Sequence, residues 1–142
     1  MIVDPIENIA KSLKKEEGFR AQGYECSMGF LSIGFGRNIS NTGPGITEAE
    51  AEMLLMNDIH RTLEECYKAF PFFENLSSER RSAVCQLVFQ LGLTTFRKFH
   101  KTLRHLEDGE FDLAADELLR SRFAEQTPAR AKRMAKLLRE TS

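Results

Sequence analysis

Three side chains near the start of the chain carry groups able to do acid, base or nucleophilic work: the Glu17 carboxylate, the Cys26 thiol and the Ser32 hydroxyl. Glu17 stands where a helical pattern gives out, in Glu16-Glu17-Gly18-Phe19-Arg20. The glycine-rich stretch Ser32-Ile33-Gly34-Phe35-Gly36-Arg37-Asn38 follows. A carboxylate at a helix end beside a small sheet can face a cleft and exchange a proton with a bound substrate. It can equally be a surface acid. Cys26 acts as base or nucleophile only as a thiolate, and free thiols titrate near ~8.5, so it needs help at neutral pH. The alternative is a small buried apolar residue, since free cysteine is among the most buried types. Glu25 is the neighbouring carboxylate, but strand alternation turns it to the opposite face.

The elements that must position these groups follow from periodicity and punctuation. Asp4 is a candidate N-cap, with Pro5 at the first helical position and Glu7 completing a capping box. Ile6, Ile9, Ala10 and Leu13 keep the spacing of one buried helical face, ending near Glu17-Gly18. Glycines then recur at 23, 29, 34 and 36, and Ser27-Met28-Gly29 reads as a turn, which predicts a hairpin or three-stranded sheet. Asn38 to Gly45 is a polar loop rich in turn residues. Thr47 and Glu50 form a second capping box, opening a helix from Glu48 to about Cys66, and Pro71 breaks the chain. Ser78 can cap an apolar helix through Val84, Leu87, Val88 and Leu91, ended by Gly92. Thr94 or Thr95 starts another, with Phe96, Phe99, Leu103 and Leu106 on one face, ending near Gly109. Phe111 to Ser121 is helical, and Thr127-Pro128 starts the last helix, Thr as cap and Pro at the first position. The order is helix, small sheet, long helix, helical bundle, which is the α+β class with segregated elements.

Composition narrows the function. At 142 residues the chain can bury one real core, in one lobe or split into two. The net charge of −1 does not point to nucleic acid. The end is basic, with seven Lys/Arg against two acids from Leu119 to Ser142. That end either meets an anionic polymer or is a solvated, internally paired helix face. Phe123 is the only aromatic interleaved with it, which speaks against stacking on nucleic acid bases. Three cysteines, Cys26, Cys66 and Cys85, fit neither a zinc site nor a disulfide framework, and suit a reducing cytoplasm. Cys66 and Cys85 fall on predicted helices as core thiols. The histidines at 60, 100 and 105 lack metal-ligand spacing, so neither metal nor cofactor is expected. The amino terminus lacks the features of a secretory signal, and no apolar run is long enough to anchor in a membrane.

The spacing Glu17, eight residues, Cys26, five residues, then Ser32-Ile33-Gly34-Phe35-Gly36 resembles the active-site signature of the phage lysozymes of glycoside hydrolase family 24. The likeness continues through Gly45-Ile46-Thr47, Glu50-Ala51 and Asp58. It resumes at Arg80-Arg81-Ser82-Ala83, at Val88 to Gly92, and from Ser121 to Arg133. Cys26 departs from the commoner aspartate, and Ser32 from threonine. The resemblance implies a lysozyme-like fold: a small N-terminal sheet lobe joined by a long helix to a larger helical lobe. The expected limits are about 16–60 for the small lobe and about 61–142 plus the helix 5–16 for the large one, within a single domain spanning 1–142. It implies a muramidase, an endolysin hydrolysing the β-1,4 bond between N-acetylmuramic acid and N-acetylglucosamine in peptidoglycan and lysing the host. The catalytic positions are Glu17, Cys26 and Ser32, and the substrate-binding positions Gln90, Arg122 and Arg130. The implied partner is bacterial peptidoglycan, for a monomer that gathers in the host cytoplasm and leaves through a holin. A residue matching Arg37 is often histidine in the family, paired with an acid at Asp58, so an Arg37–Asp58 pair is expected. A general acid of this kind needs burial to keep its proton at neutral pH. A glycan-gripping module without hydrolysis, and a virion structural role, are the competing readings.

Overall fold

The computed structural model describes residues 5–140. Asp4, and with it the first capping box, lies outside them. The chain divides into two compact units, Met1–Met53 and Leu54–Ser142.

The first unit holds α1 (Ile6–Glu17) and a three-stranded antiparallel sheet, β1 (Arg20–Glu25), β2 (Leu31–Gly34) and β3 (Arg37–Asn38), in the order β1-β2-β3. The turn predicted at Ser27-Met28-Gly29 joins β1 to β2. The Gly29 amide donates to the Cys26 carbonyl at 2.9 Å, with Gly29 at φ +83°. Strand partners run Arg20 with Gly34, Tyr24 with Ser32 and Glu25 with Leu31, with a bulge between Arg20 and Tyr24. In the loop after β3, a Cβ on Gly43 would collide with the Asn38 carbonyl, so only glycine fits there. Two expectations change. Pro5 flanks α1 instead of starting it. The stripe Ile6, Ile9, Leu13 is exposed, because the sheet is too small to cover a helix: Ser32 is the one buried residue among those described from 5 to 53.

A long helix, α2 (Glu48–Ala69), runs out of this unit and into the second. Its capping box forms as predicted: the Glu50 amide donates to Thr47 Oγ1 at 3.1 Å, and the Thr47 amide to Glu50 Oε1 at 2.9 Å. The helix runs three residues past the expected Cys66, to the turn before Pro71.

The second unit continues with a short 3-10 turn, Phe73–Asn75, then α3 (Ser78–Leu91), α4 (Leu93–Phe96), α5 (His100–Glu107), α6 (Phe111–Leu119), α7 (Arg122–Gln126) and α8 (Pro128–Arg139). Its core gathers Cys66, Phe73, Val84, Leu87, Phe96, Leu106, Leu118 and Leu138, all fully or nearly fully buried. Ser77, not Ser78, caps α3, accepting from the Arg80 amide at 3.3 Å. The single helix expected over Thr94–Gly109 is two. Phe99 leaves helical geometry, and the break seats the Phe96 and Phe99 rings 5.4 Å apart. The helix expected to end at Ser121 stops at Leu119, because the Ser121 side chain caps the unforeseen α7. Thr127 stands at the N-cap of α8 with Pro128 first in the helix, as expected, but its hydroxyl makes no cap bond and donates back to the Phe123 carbonyl at 3.0 Å.

Part of the basic end is accounted for inside this unit. Helix α8 buries Ala131, Met134, Ala135 and Leu138, and Arg139 bonds Asp116 at 2.6 Å. Arg80, 7% exposed, donates from Nε to the Leu138 carbonyl at 2.7 Å and lies 3.6 Å over the Phe111 ring. A cation thus caps the C-terminal end of α8, where orphan carbonyls and the helix dipole favour positive charge. Arg80→Ala should lower the unfolding free energy by about 2–3 kcal/mol, the usual worth of a charged hydrogen bond with a cation–π contact. Urea denaturation measures it, and a loss no larger than an ordinary surface substitution would contradict the role.

Candidate active site

Glu17 is the last residue of α1. Gly18 ends the helix at φ +68°, its amide donating to the Lys14 carbonyl at 2.9 Å. The chain after it is held down by aromatics: Phe19 meets Phe35 at 5.6 Å, and Lys14 Nζ lies 5.6 Å from the same Phe35 ring. These contacts bring the end of α1 onto the turn between β2 and β3. There the Glu17 side chain lies against Gly36, so closely that a Cβ on Gly36 would sit 3.0 Å from Glu17 Oε2. Gly36 has φ +82°, a second reason for glycine. Beside it a recess of about 470 Å³ is lined by Phe35, Gly36, Arg37, Asn38 and Pro44. Glu17 is exposed, unlike the buried acid that the chemistry leads one to expect.

Cys26 follows the last residue of β1, at the mouth of the hairpin. Its amide donates to the Phe30 carbonyl at 2.8 Å. Its thiol is held below its ordinary value, first by hydrogen bonding to the backbone at Phe30, then at Met28, against an opposing effect of burial that outweighs the further help of the Ser32 side chain. Ser32, on β2, is 2% exposed, and its hydroxyl makes a long 3.4 Å bond to the Phe30 carbonyl. The hairpin therefore joins Cys26 to Ser32, while α1 carries Glu17 to the neighbouring turn.

Arg37 fixes that turn. Its guanidinium forks onto Glu50, Nη1 to Oε1 at 3.0 Å and Nη2 to Oε2 at 2.8 Å, and Nη1 also donates to the Gly45 carbonyl at 3.0 Å. This replaces the expected Arg37–Asp58 pair; Asp58 bonds Arg61 at 2.6 Å. The capping box explains the exchange, because it already turns the Glu50 carboxylate back towards the loop. The signal is present in the sequence, in Thr47-x-x-Glu50, but there it announces only a helix start.

The remaining predicted residues lie in the second unit. Arg130, half-buried, lines a cavity of about 650 Å³ between α2 and α3. Arg122 lines a different recess, of about 440 Å³, with Lys98, Lys101 and Arg120. Gln90 is exposed near the end of α3 and lines neither. The larger cavity contains none of Glu17, Cys26 and Ser32, so volume alone does not mark the chemistry. Among the described residues no cluster of His, Cys, Asp or Glu could hold a metal ion.

The profile of the family described as phage lysozyme matches residues 14–139. The chain belongs to the phage lysozyme family. It is 25% identical to a probable T4-type lysozyme of Dictyostelium discoideum, over 94% of each chain. It is 31% identical to an endolysin of Acyrthosiphon pisum secondary endosymbiont phage 1, over 76% of this chain and 73% of that one. It is 24% identical to the pre-baseplate central spike protein Gp5 of Enterobacteria phage T4, where 95% of this chain covers 28% of the spike. Membership makes this a lysozyme-type enzyme of peptidoglycan hydrolysis, with the small sheet and mainly helical body of that α+β fold. No helix among the described residues is long and apolar enough to cross a membrane.

Glu50 should report the Arg37 fork directly. Its carboxyl is lowered from 4.5 to about 2, first by the bonds from Arg37 and then by the Thr47 amide. A depressed folded value means the pair contributes fully above the ordinary carboxylate range and loses that contribution as pH falls from 4.5 through about 2. An NMR titration of Glu50 should give a midpoint near the lower figure and move up in Arg37→Ala. A midpoint at 4.5 in the unaltered protein would mean the fork does not form in solution.

Proposed function

We propose that this protein hydrolyses the β-1,4 bond between N-acetylmuramic acid and N-acetylglucosamine, with Glu17 as general acid and Cys26 as the second catalytic group. The supporting observation is that one small unit gathers all three signature residues. Glu17 lies against Gly36, and the acidified Cys26 thiol sits beside Ser32. Glu17 gives its proton to the leaving glycosidic oxygen as positive charge builds on the sugar ring. The Cys26 thiolate takes a proton from a water, the Ser32 hydroxyl helps hold that water, and the hydroxide so formed attacks the anomeric carbon. Proton in and proton out balance in one displacement, which inverts the anomeric centre. Gln90, Arg122 and Arg130 contact the polymer beyond the cleaved bond. The setting is that of an endolysin, gathering in the host cytoplasm as a monomer, reaching the wall through a holin and lysing the host.

Purified peptidoglycan tests the chemistry. Glu17→Gln should fold normally and lose at least ~10²-fold in rate, the lower worth of a general acid. Near-full activity in that variant would remove Glu17 from the role.

The Cys26 series is more discriminating. Cys26→Asp should stay active, because a carboxylate of similar size is a base at neutral pH without assistance. Cys26→Ala should be badly impaired. Early products should carry the inverted anomer, and the rate should rise with pH as the thiolate fraction grows. Wild-type-like lysis by Cys26→Ala would make Cys26 inert, and retained anomeric configuration would make it a nucleophile in place of a base.

A further inference from the structure

We propose that the recess between the start of α5 and the turn from α6 to α7 is a phosphate-binding site, for inorganic phosphate or for a phosphate ester of a small organic molecule. This goes beyond the hydrolytic reading and shares only Arg122 with it. The recess has a volume of about 440 Å³. Four cations line it, Lys98, Lys101, Arg120 and Arg122, against one acid, Glu117. That acid is already paired: Arg120 Nη1 bonds Glu117 Oε1 at 2.9 Å. Lys98, Lys101 and Arg122 are exposed and have no ion-pair partner among the described residues. Their positive charges border one recess with nothing to balance them.

The backbone adds donors at the same place. Helix α5 begins at His100 with Phe99 at its N-cap and no side-chain cap bond. The amides of His100, Lys101 and Thr102 have no backbone acceptor among the described residues, and all three residues line the recess. Uncapped amides at the positive end of a helix dipole favour an anion. Thr102 is an independent observation. It is 3% exposed and lines the recess, and its hydroxyl has no hydrogen-bond partner among the described residues. The neighbouring Ser121 differs, its hydroxyl donating to the Leu118 carbonyl at 2.6 Å and accepting from the Ala124 amide. Buried polar groups are nearly always hydrogen-bonded, so an acceptor oxygen in the recess would complete Thr102. The donor set selects the anion. A carboxylate brings a single charge and a pair of oxygens, fewer than these cations, amides and hydroxyl can satisfy. A phosphate ester brings about two charges at neutral pH and three strong acceptor oxygens. The Arg122 guanidinium offers the planar fork that phosphate oxygens accept, and the half-buried Phe99 lines an apolar side for the organic part of an ester.

Sodium phosphate is the first probe, titrated into the full chain and followed by amide NMR, with ionic strength held constant by sodium chloride. The His100, Lys101 and Thr102 amides should shift together and saturate with one dissociation constant. Sodium acetate should bind there more weakly. The double variant Lys98→Gln, Lys101→Gln alters two exposed side chains, so its other amides should keep their positions. Its phosphate affinity should fall by about 10-fold, as expected for the loss of two exposed charge contacts at the upper end of their range. Glucose 6-phosphate separates the two sources: tighter binding than inorganic phosphate assigns the recess to an ester, and equal or weaker binding assigns it to the free ion. Phosphate binding should persist in Glu17→Gln, so that this site and the hydrolytic reading stand or fall separately. Shifts that never saturate, acetate binding as tightly as phosphate, or unchanged affinity in the double lysine variant would overturn the proposal.

Discussion

The fork of Arg37 onto Glu50 is the tie on which the site geometry rests. The first unit buries one residue of those described, Ser32, so apolar burial cannot specify the placement of its strands. Polar contacts do so instead. Glu50 receives both arms of Arg37 and also the Thr47 amide, so one carboxylate closes the helix cap and grips the strand that ends the sheet. Planar, two-bonded pairing fixes direction as well as distance, which a lysine at position 37 would not supply. Strand β3 then holds the β2–β3 turn, and that turn carries Gly36, against which Glu17 rests.

The helical unit is organised on the opposite principle. Its core of phenylalanines, leucines and alanines supplies burial at roughly 25 cal/mol per Å² of apolar surface, and polar groups only complete the edges. Arg80 is the one buried charged side chain among the described residues. It is buried, yet each of its faces is used: carbonyls at the end of α8 on one side, the Phe111 ring on the other. The basic end of the chain reads differently in that light. Arg139 on Asp116 and Arg120 on Glu117 are paired within the unit. The charge excess seen in the sequence is partly the scaffold of the last helices.

Legibility follows the physics of each signal. Helices with strong caps are visible in the sequence: Thr47 with Glu50 opens α2 and forms the reciprocal bonds its spacing predicts. The turn at Ser27-Met28-Gly29 is visible because a positive φ demands glycine. Fine structure is hidden where several partners compete. Ser77 and Ser78 both suit a cap, and only tertiary packing chooses. The apolar spacing from Phe96 to Leu106 fits one helix or two, because periodicity is blind to a short break that keeps the same face. The partner of Arg37 is hidden because matching by position points to the acid at Asp58, while the spacing to Thr47 already assigns Glu50 to the cap. The three signature residues are found by spacing, but the contact of Glu17 with Gly36 is not, since a glycine gives no sign of what packs on its missing side chain.

The three cysteines show why residue type alone is a poor guide to chemistry. A carboxylate at position 26 would be ionised at neutral pH by its own acidity, whereas a thiol depends on its surroundings. The hairpin supplies them: the tight turn that joins β1 to β2 also directs backbone hydrogen bonds from Phe30 and Met28 at the sulfur. The same turn that sets strand register thus also sets the acidity of the thiol at its mouth. The Cys85 thiol is lowered by hydrogen bonding to the Cys66 side chain, and Cys66 is pushed the other way by that bonding and by burial. Periodicity places Cys66 and Cys85 on their helices, but what each thiol does depends on which hydrogen bonds the fold points at it.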